Sequence, residues 1–319
     1  MIDPNEILDD ARALQPDVVE LRRRIHAEPE LGLELPATRE KVLTALEGLP
    51  LEVSLHTRSS GVVAVLDGAR PGPTLLLRGD MDALPMPEDT DLPFRSKRDG
   101  AMHACGHDAH TAMLAGAARL LADRRAELSG RVVFMFQPGE EGFAGARVML
   151  DEGLPAFDAA FALHITPLLP SGSIGTRSGP LLASADFFDA TVHGRGGHAS
   201  MPHDCQDPIP VACEIVQALQ TFVTREIPAT DPVVLTVSRI AAGTTTNVIP
   251  ESAHLAGTLR SLSERSREKA HEGLHRLVDG IARAHGMTAD LDLQTGYPVT
   301  ENDAGFESFA RGVASGLLG

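Results

Sequence analysis

The sequence predicts an α/β protein. A larger domain, built on a largely parallel mixed sheet flanked by helices, carries an inserted ferredoxin-like α+β domain. Three observations predict this. Short apolar runs of strand length alternate with helical patterns through the first half of the chain, as in sheets buried on both faces. Three of those runs end in carboxylates or a histidine, and ligands of open α/β sheets sit at the carboxyl ends of the strands. After Gly179 the order changes to β-α-β-β-α-β, that of a ferredoxin-like unit.

Taken in order, residues 18–27 have helical spacing, with Val19, Leu21 and Ile25 apolar, and Pro29 closes the segment. A second helix is expected over 37–49. Residues 61–66 (GVVAVL) and 74–77 (TLLL) are apolar strands, and the second runs into Arg78-Gly79-Asp80. An alanine- and leucine-rich helix over 111–123 precedes a strand at 131–136 (RVVFMF), which ends at Gln137-Pro138-Gly139-Glu140-Glu141. A short helix near 146–152 and a strand over 159–163 follow, the latter ending at His164. The second pattern has strands at 187–192, 233–240, 252–259 and 288–293, with helices over 208–224 and 264–285. It places the inserted domain at 183–297 and the larger domain at 1–182 and 298–319, with another helix starting in 301–319.

Composition limits the function classes. The chain has 28 Lys and Arg against 44 Asp and Glu, a formal net charge of −16. That balance disfavours nucleic acid and anionic membranes as partners. No apolar run approaches the roughly 18 residues of a membrane span. Asp3, Glu6, Asp9 and Asp10 occupy the start, where a secretory signal would be basic and then apolar. The cysteines are Cys105, Cys205 and Cys213; an odd, sparse set argues for a reducing compartment. A cytoplasmic protein is expected.

The polar clusters carry the chemistry. His103-Ala104-Cys105-Gly106-His107 combines a thiol with imidazoles, donors suited to Zn²⁺ and similar ions; a buried cysteine beside surface histidines would give the same string. Glu140 and Glu141 cannot both enter a dry pocket as free anions. A cation removes that conflict and leaves one carboxylate as a general base, although a solvated acidic turn looks identical in sequence. His164 stands at a strand end, where either a satisfied core histidine or a ligand would fit. In the second domain, Gly194-Arg-Gly-Gly-His198 permits a tight turn or close approach to a ligand. Asn247 lies in TTTNVIP, and Arg260 ends a strand and is of the type that grips carboxylates.

The strings RRRIHAEPELGLE, RGDMDALP, HACGHDAH, QPGEEG, LHITP, ASADFFDATVHGRGGHASMPH, GTTTNVIP and GTLR, in this order from Arg22 to Arg260, resemble the M20 metallopeptidase family. The match is to its amidohydrolase branch of hippurate hydrolases, aminoacylases and indole-acetyl-amino-acid hydrolases. The resemblance implies metal-dependent hydrolysis of the amide bond of N-acyl amino acids. It implies two divalent metal ions (Zn, Mn, Co or Ni) held by Cys105, His107, Glu141 and His164, with Glu140 as general base and then acid. Asp82 is implied as a residue supporting the metal site. His198, Asn247 and Arg260 are implied to bind substrate from a lid domain, which pairs two subunits and sends the histidine matching His198 into the partner's site. A homodimer is the implied assembly.

The chain departs from the family pattern in one respect. Relatives continue for several tens of residues after the lid and supply a further histidine ligand, whereas Gly319 falls within the first helix after it. A C-terminally truncated, inactive form is therefore one alternative reading. A dipeptidase or carboxypeptidase of the same family is another. A metal-storage protein would not need a general base and a substrate-binding lid.

Overall fold

The protein is described from a computed structural model, which covers residues 4–318. It divides into two compact units, one running to Ile174 and taking in the stretch from Ala314, the other Gly175–Val313.

The first unit contains α1 (Pro4–His26), α2 (Pro36–Leu46), β1 (Glu52–Leu55), β2 (Val62–Asp67), β3 (Arg70–Asp80), α3 (His107–Asp123), β4 (Ser129–Gln137), α4 (Gly145–Glu152) and β5 (Ala159–Ala162). The strands form one mixed sheet in the order β1-β2-β4-β3-β5. It is less parallel than the sequence reading expects: β3 pairs in parallel with β4 and β5, but β2 is antiparallel to β1 and β4. The loop 56–61 between β1 and β2 is too short for the crossover that parallel neighbours need.

Burial on both faces explains the unbroken apolar runs. From β2, Val62, Ala64 and Leu66 join Leu35, Val42, Leu114, Phe134 and Phe136 on one side. Val63 and Val65 join Leu76, Val133, Met135 and Met149 on the other. Alternate side chains of a strand point to opposite faces, so each apolar residue serves one of two layers. Phe134 is fully buried. Phe134→Ala is expected to destabilise the protein by about 3–5 kcal/mol, seen as a lower denaturant midpoint.

Helix α1 begins well before the predicted residue 18 and passes through Pro16. It lies on α3 at Gly116, where an added Cβ would come within 2.8 Å of Val18 Cγ2. The absent side chain is what lets these two helices approach.

The second unit contains β6 (Gly179–Leu182), β7 (Ala185–His193), β8 (Gly197–His198), α5 (Pro208–Arg225), β9 (Val233–Ala242), β10 (Val248–Ile249), β11 (Ser252–Ser261), α6 (Glu264–Ala284), β12 (Thr288–Tyr297) and β13 (Thr300–Asn302). Helix α7 (Ala304–Leu318) follows. The βαββαβ set forms a four-stranded sheet, β12-β7-β11-β9, with every neighbouring pair antiparallel. Here the burial alternates: Ala253, Leu255 and Leu259 of β11 face a core with Ile215 and Leu219 of α5 and Leu274 of α6. One covered face and one polar face is the usual arrangement of an antiparallel sheet. The Asp207 side chain caps α5 by accepting from Ile209 N, and Ser263 caps α6 by accepting from Ser266 N. Among the described residues, no helix is long and apolar enough to cross a membrane.

Candidate metal and catalytic centre

The first unit gathers its polar clusters at the carboxyl ends of β3, β4 and β5 and at the start of α3. Asp80 ends β3, with Asp82 two residues on; Glu140 and Glu141 follow β4; His164 follows β5; and Cys105 precedes α3, whose first residue is His107. Candidate ligand atoms of Cys105, His107 and His164 lie within 4.8 Å of one another, and so do those of His107, Glu140 and Glu141. His107 belongs to both groups.

Asp82 sets the glutamate loop. It is buried, and its two carboxylate oxygens accept from Glu140 N and Glu141 N, each at 2.9 Å. The Asp82 carbonyl accepts from His107 Nδ1 at 2.8 Å. A carbonyl only accepts, so Nδ1 carries hydrogen and Nε2 faces the cluster. That buried Nε2 has no hydrogen-bond partner. Around it stand Asp80 Oδ2 at 3.6 Å and Glu140 Oε2 and Glu141 Oε1 at 3.9 Å. His164 repeats the pattern: Nδ1 donates to the Ile165 carbonyl at 2.6 Å, and Nε2 lies 3.3 Å from Cys105 Sγ.

These features fit a divalent cation. Histidine ligands of metals characteristically donate their second ring N–H to a carbonyl or carboxylate, which fixes the ring and its tautomer. Both histidines do so here. Thiolate, imidazole and carboxylate form a donor set for a borderline ion.

The cluster draws positive charge. Burial opposes a charged His107, but Asp82, the Cys105 thiol and the nearby Asp80 outweigh it and push it up to about 11. The neighbouring imidazoles of His107 and His164 hold the Cys105 thiol low. The Cys105 contact in turn lifts His164 to about 8. Burial, then repulsion from Glu141, raises Glu140 above the ordinary carboxylate range, which makes it a stronger base than a free glutamate. For Asp80, burial is outweighed by the His110 hydrogen bond and the charges of Arg78 and His107, so it stays ionised.

The second unit places two more candidates together. His198 on β8 pairs with Val248 on β10, and Asn247 O accepts from Ala199 N at 3.0 Å. His198 Nδ1 accepts from Ser200 N at 3.2 Å and lies 2.8 Å from Ser200 Oγ. A backbone N–H only donates, so the His198 hydrogen resides on Nε2. Arg260 is not with them. It stands eight residues along β11 from Ser252, roughly 25 Å at strand rise. There its guanidinium donates to Leu259 O at 3.1 Å and covers the Phe187 ring at 5.5 Å.

Residues 76–319 match Peptidase family M20/M25/M40. The chain belongs to that family. It is 41% identical over 308 residues to the N-acetylcysteine deacetylase of Bacillus subtilis, covering 96% of this chain and 81% of that protein. It is 40% identical over 303 residues to thermostable carboxypeptidase 1 of Saccharolobus solfataricus, covering 93% and 77%. It superposes on a Bacillus subtilis crystal structure, described as a dinuclear metal-binding peptidase of the M20 family, with a TM-score of 0.82 and 38% identity. That match covers 95% of this chain and 80% of the other. Membership of a peptidase family makes the chemistry of this M20 chain the hydrolysis of an amide bond.

Sequence reasoning passed over several residues that surround the M20 centre. Arg78 donates to Asp80 Oδ2 and Gln137 Oε1, each at 2.7 Å. Asp108 Oδ2 is held by Arg22 Nε at 2.6 Å and by His26 Nδ1 at 2.7 Å, and His26 Nε2 lies 3.2 Å from Glu88 Oε1. The RRRIHAEPELGLE string thus anchors the residue beside His107. His103 is buried with both ring nitrogens unpartnered, and burial pushes it down to about 4. It is neutral and lies outside both groups described above.

Proposed function

We propose that this chain is a two-metal amidohydrolase that cleaves the amide bond of N-acyl amino acids, releasing a carboxylic acid and an amino acid. The observation that carries the reading is the arrangement around His107. Its unpartnered Nε2 faces Glu141, and Cys105 with His164 completes the donor set. Glu140 stands on the same loop with its basicity raised. The similarity to a deacetylase of an N-acyl amino acid points the same way.

Cys105, His107, Glu141 and His164 would hold two divalent cations of the Zn, Mn, Co or Ni type. Bound there, such ions supply Lewis acidity that acidifies water and polarises the acyl carbonyl. Glu140 accepts the proton of the attacking water as the C–O bond forms. As the C–N bond breaks, Glu140 returns that proton to the leaving nitrogen. The Nε2–H of His198 is the donor that an oxyanion requires, and Arg260 or Asn247 holds the substrate carboxylate. Asp82 keeps Glu140 and Glu141 in place through their backbone N–H groups.

The βαββαβ unit acts as the lid in this reading, and one observation supports a homodimer. His198 and Asn247 stand at one end of the sheet and Arg260 about a strand's length away, too far for one chain's set to grip a single small substrate. Two copies resolve this, each lending His198 to its partner's site. His198→Ala and Arg260→Ala should each be inactive alone, and mixed subunits should recover activity; no recovery on mixing contradicts the trans arrangement. The free cysteines accord with a cytoplasmic location.

A carboxypeptidase is the second reading, favoured by 40% identity to thermostable carboxypeptidase 1. A panel of N-acetyl and N-benzoyl amino acids beside dipeptides with free amino termini separates the two. The proposal expects higher kcat/KM on the N-acyl amino acids. Preference for free peptides would transfer the assignment to the second reading, and no turnover of any amide would overturn both.

A further inference from the structure

Asp80, His107 and His110 also bring candidate ligand atoms within 4.8 Å of one another, so His110 could be taken for another metal ligand. Its hydrogen bonds argue otherwise. His110 is buried. Its Nε2 accepts from Ile165 N at 2.9 Å, and its Nδ1 lies 2.6 Å from Asp80 Oδ1. Because a backbone N–H only donates, Nε2 is unprotonated and Nδ1–H donates to the carboxylate. Neither nitrogen has a lone pair left for a metal.

The bond to Ile165 reaches further. Ile165 accepts from His164 Nδ1 through its carbonyl, at 2.6 Å, so one residue receives both contacts. His110 also meets the His164 ring edge-on, with centroids 4.6 Å apart. On its other side, Asp80 is held by Arg78 NH1 at 2.7 Å, and the Asp80 carbonyl accepts from Thr111 Oγ1 at 2.7 Å. A continuous hydrogen-bonded chain therefore runs Arg78–Asp80–His110–Ile165–His164. Without it, His164 would hang on a segment after β5 in which Leu163 and Ile165 are exposed.

We propose that His110 is a positioning residue, not a ligand: it fixes the Ile165 backbone and thereby aims His164 Nε2 at the metal position beside Cys105. The inference rests on the two-metal reading above, but its primary readout is metal binding and not turnover.

Two substitutions divide the contacts of His110. His110→Gln places an acceptor where Nε2 stands and keeps the bond from Ile165 N. His110→Asn keeps a donor where Nδ1 stands and reaches Asp80 but not Ile165. Both are titrated with Co²⁺, following the thiolate-to-metal absorption and the affinity. The expected result is near-native affinity and spectrum for His110→Gln, and a loss of about 10–100-fold for His110→Asn, the usual effect of removing an outer partner of a ligand. Equal loss in both variants, with one fewer nitrogen donor, would make His110 a ligand and overturn the proposal. Native affinity in both would also overturn it. If His110→Asn does not fold, ¹⁵N spectra of the native protein decide. His110 should show hydrogen on Nδ1 and keep its resonances on Zn²⁺ addition; a shift to metal-bound values refutes the inference. Loss of the N-acyl amino acid activity assignment would leave both measurements unaffected.

Discussion

Glu140→Gln is expected to lower kcat by about 10²–10⁴-fold while leaving bound metal in place. Glutamine matches the shape of glutamate but cannot take a proton from water or return one to a leaving amine. Burial and the neighbouring Glu141 raise the native group, so the substitution removes a carboxylate of raised basicity and relieves its repulsion with Glu141. The backbone bond from Glu140 N to Asp82 does not depend on the side chain, so the loop should keep its position. Metal content by elemental analysis, read beside single-turnover rates, checks both halves. A variant with native kcat would remove Glu140 from the chemistry, and one that loses metal would make it a ligand.

Asp82→Asn is expected to cost about 10²-fold in kcat/KM, the scale of an ångström-sized misplacement of catalytic groups. Both Asp82 oxygens accept from backbone N–H groups of the glutamate loop. An asparagine has one oxygen and one NH₂, so one N–H would meet a donor and lose its partner inside the protein. An unmet buried donor is costly, and the loop bearing Glu140 and Glu141 would shift to escape it. The His107 contact is to the Asp82 main-chain carbonyl and survives. The variant should therefore retain the Cys105–His107–His164 donors while losing rate, which a Co²⁺ spectrum beside kinetics would show. Unchanged kinetics would mean that the loop needs no such anchor.

The sequence revealed most where residues are buried. The runs at 61–66 and 131–136 were legible because both faces of β2 and β4 are covered, which forces continuous apolarity. Strand β1 left no trace because all four of its residues are exposed. The first half of α1 was hidden by Pro16 and by a largely exposed surface. Helix α3 starts at His107 and not at the predicted 111, because its first turn is occupied by polar site residues and its cap is Gly106 at φ +87°, not a capping side chain. The parallel content was overestimated because pairing direction depends on loop lengths and strand order, which apolar periodicity does not encode.

The candidate site shows the same division. Glu140, Glu141 and His164 stood out because their types are unusual at strand ends, and Cys105 and His107 because a thiol and imidazoles occur together. The structure brings their candidate ligand atoms into two groups that share His107. His110 and Arg78 did not stand out, since each acts through a partner far away in sequence: His110 through Asp80 and Ile165, Arg78 through Gln137. One signal was available. His107 and His110 are three residues apart on one helix and share a face, which associates His110 with the cluster before any coordinates are known. The separation of Arg260 from His198 and Asn247 could not be read at all, because it depends on the length of β11 and the position of the β8–β10 ribbon.

Metal dependence is tested most directly by stripping the purified chain with a chelator, returning Zn²⁺, Mn²⁺, Co²⁺ or Ni²⁺ in measured equivalents, and following hydrolysis of N-acetyl amino acids. The stripped protein is expected to show no turnover, with recovery that saturates near two equivalents of ion per chain. Turnover that persists in metal-free protein would contradict the two-metal reading.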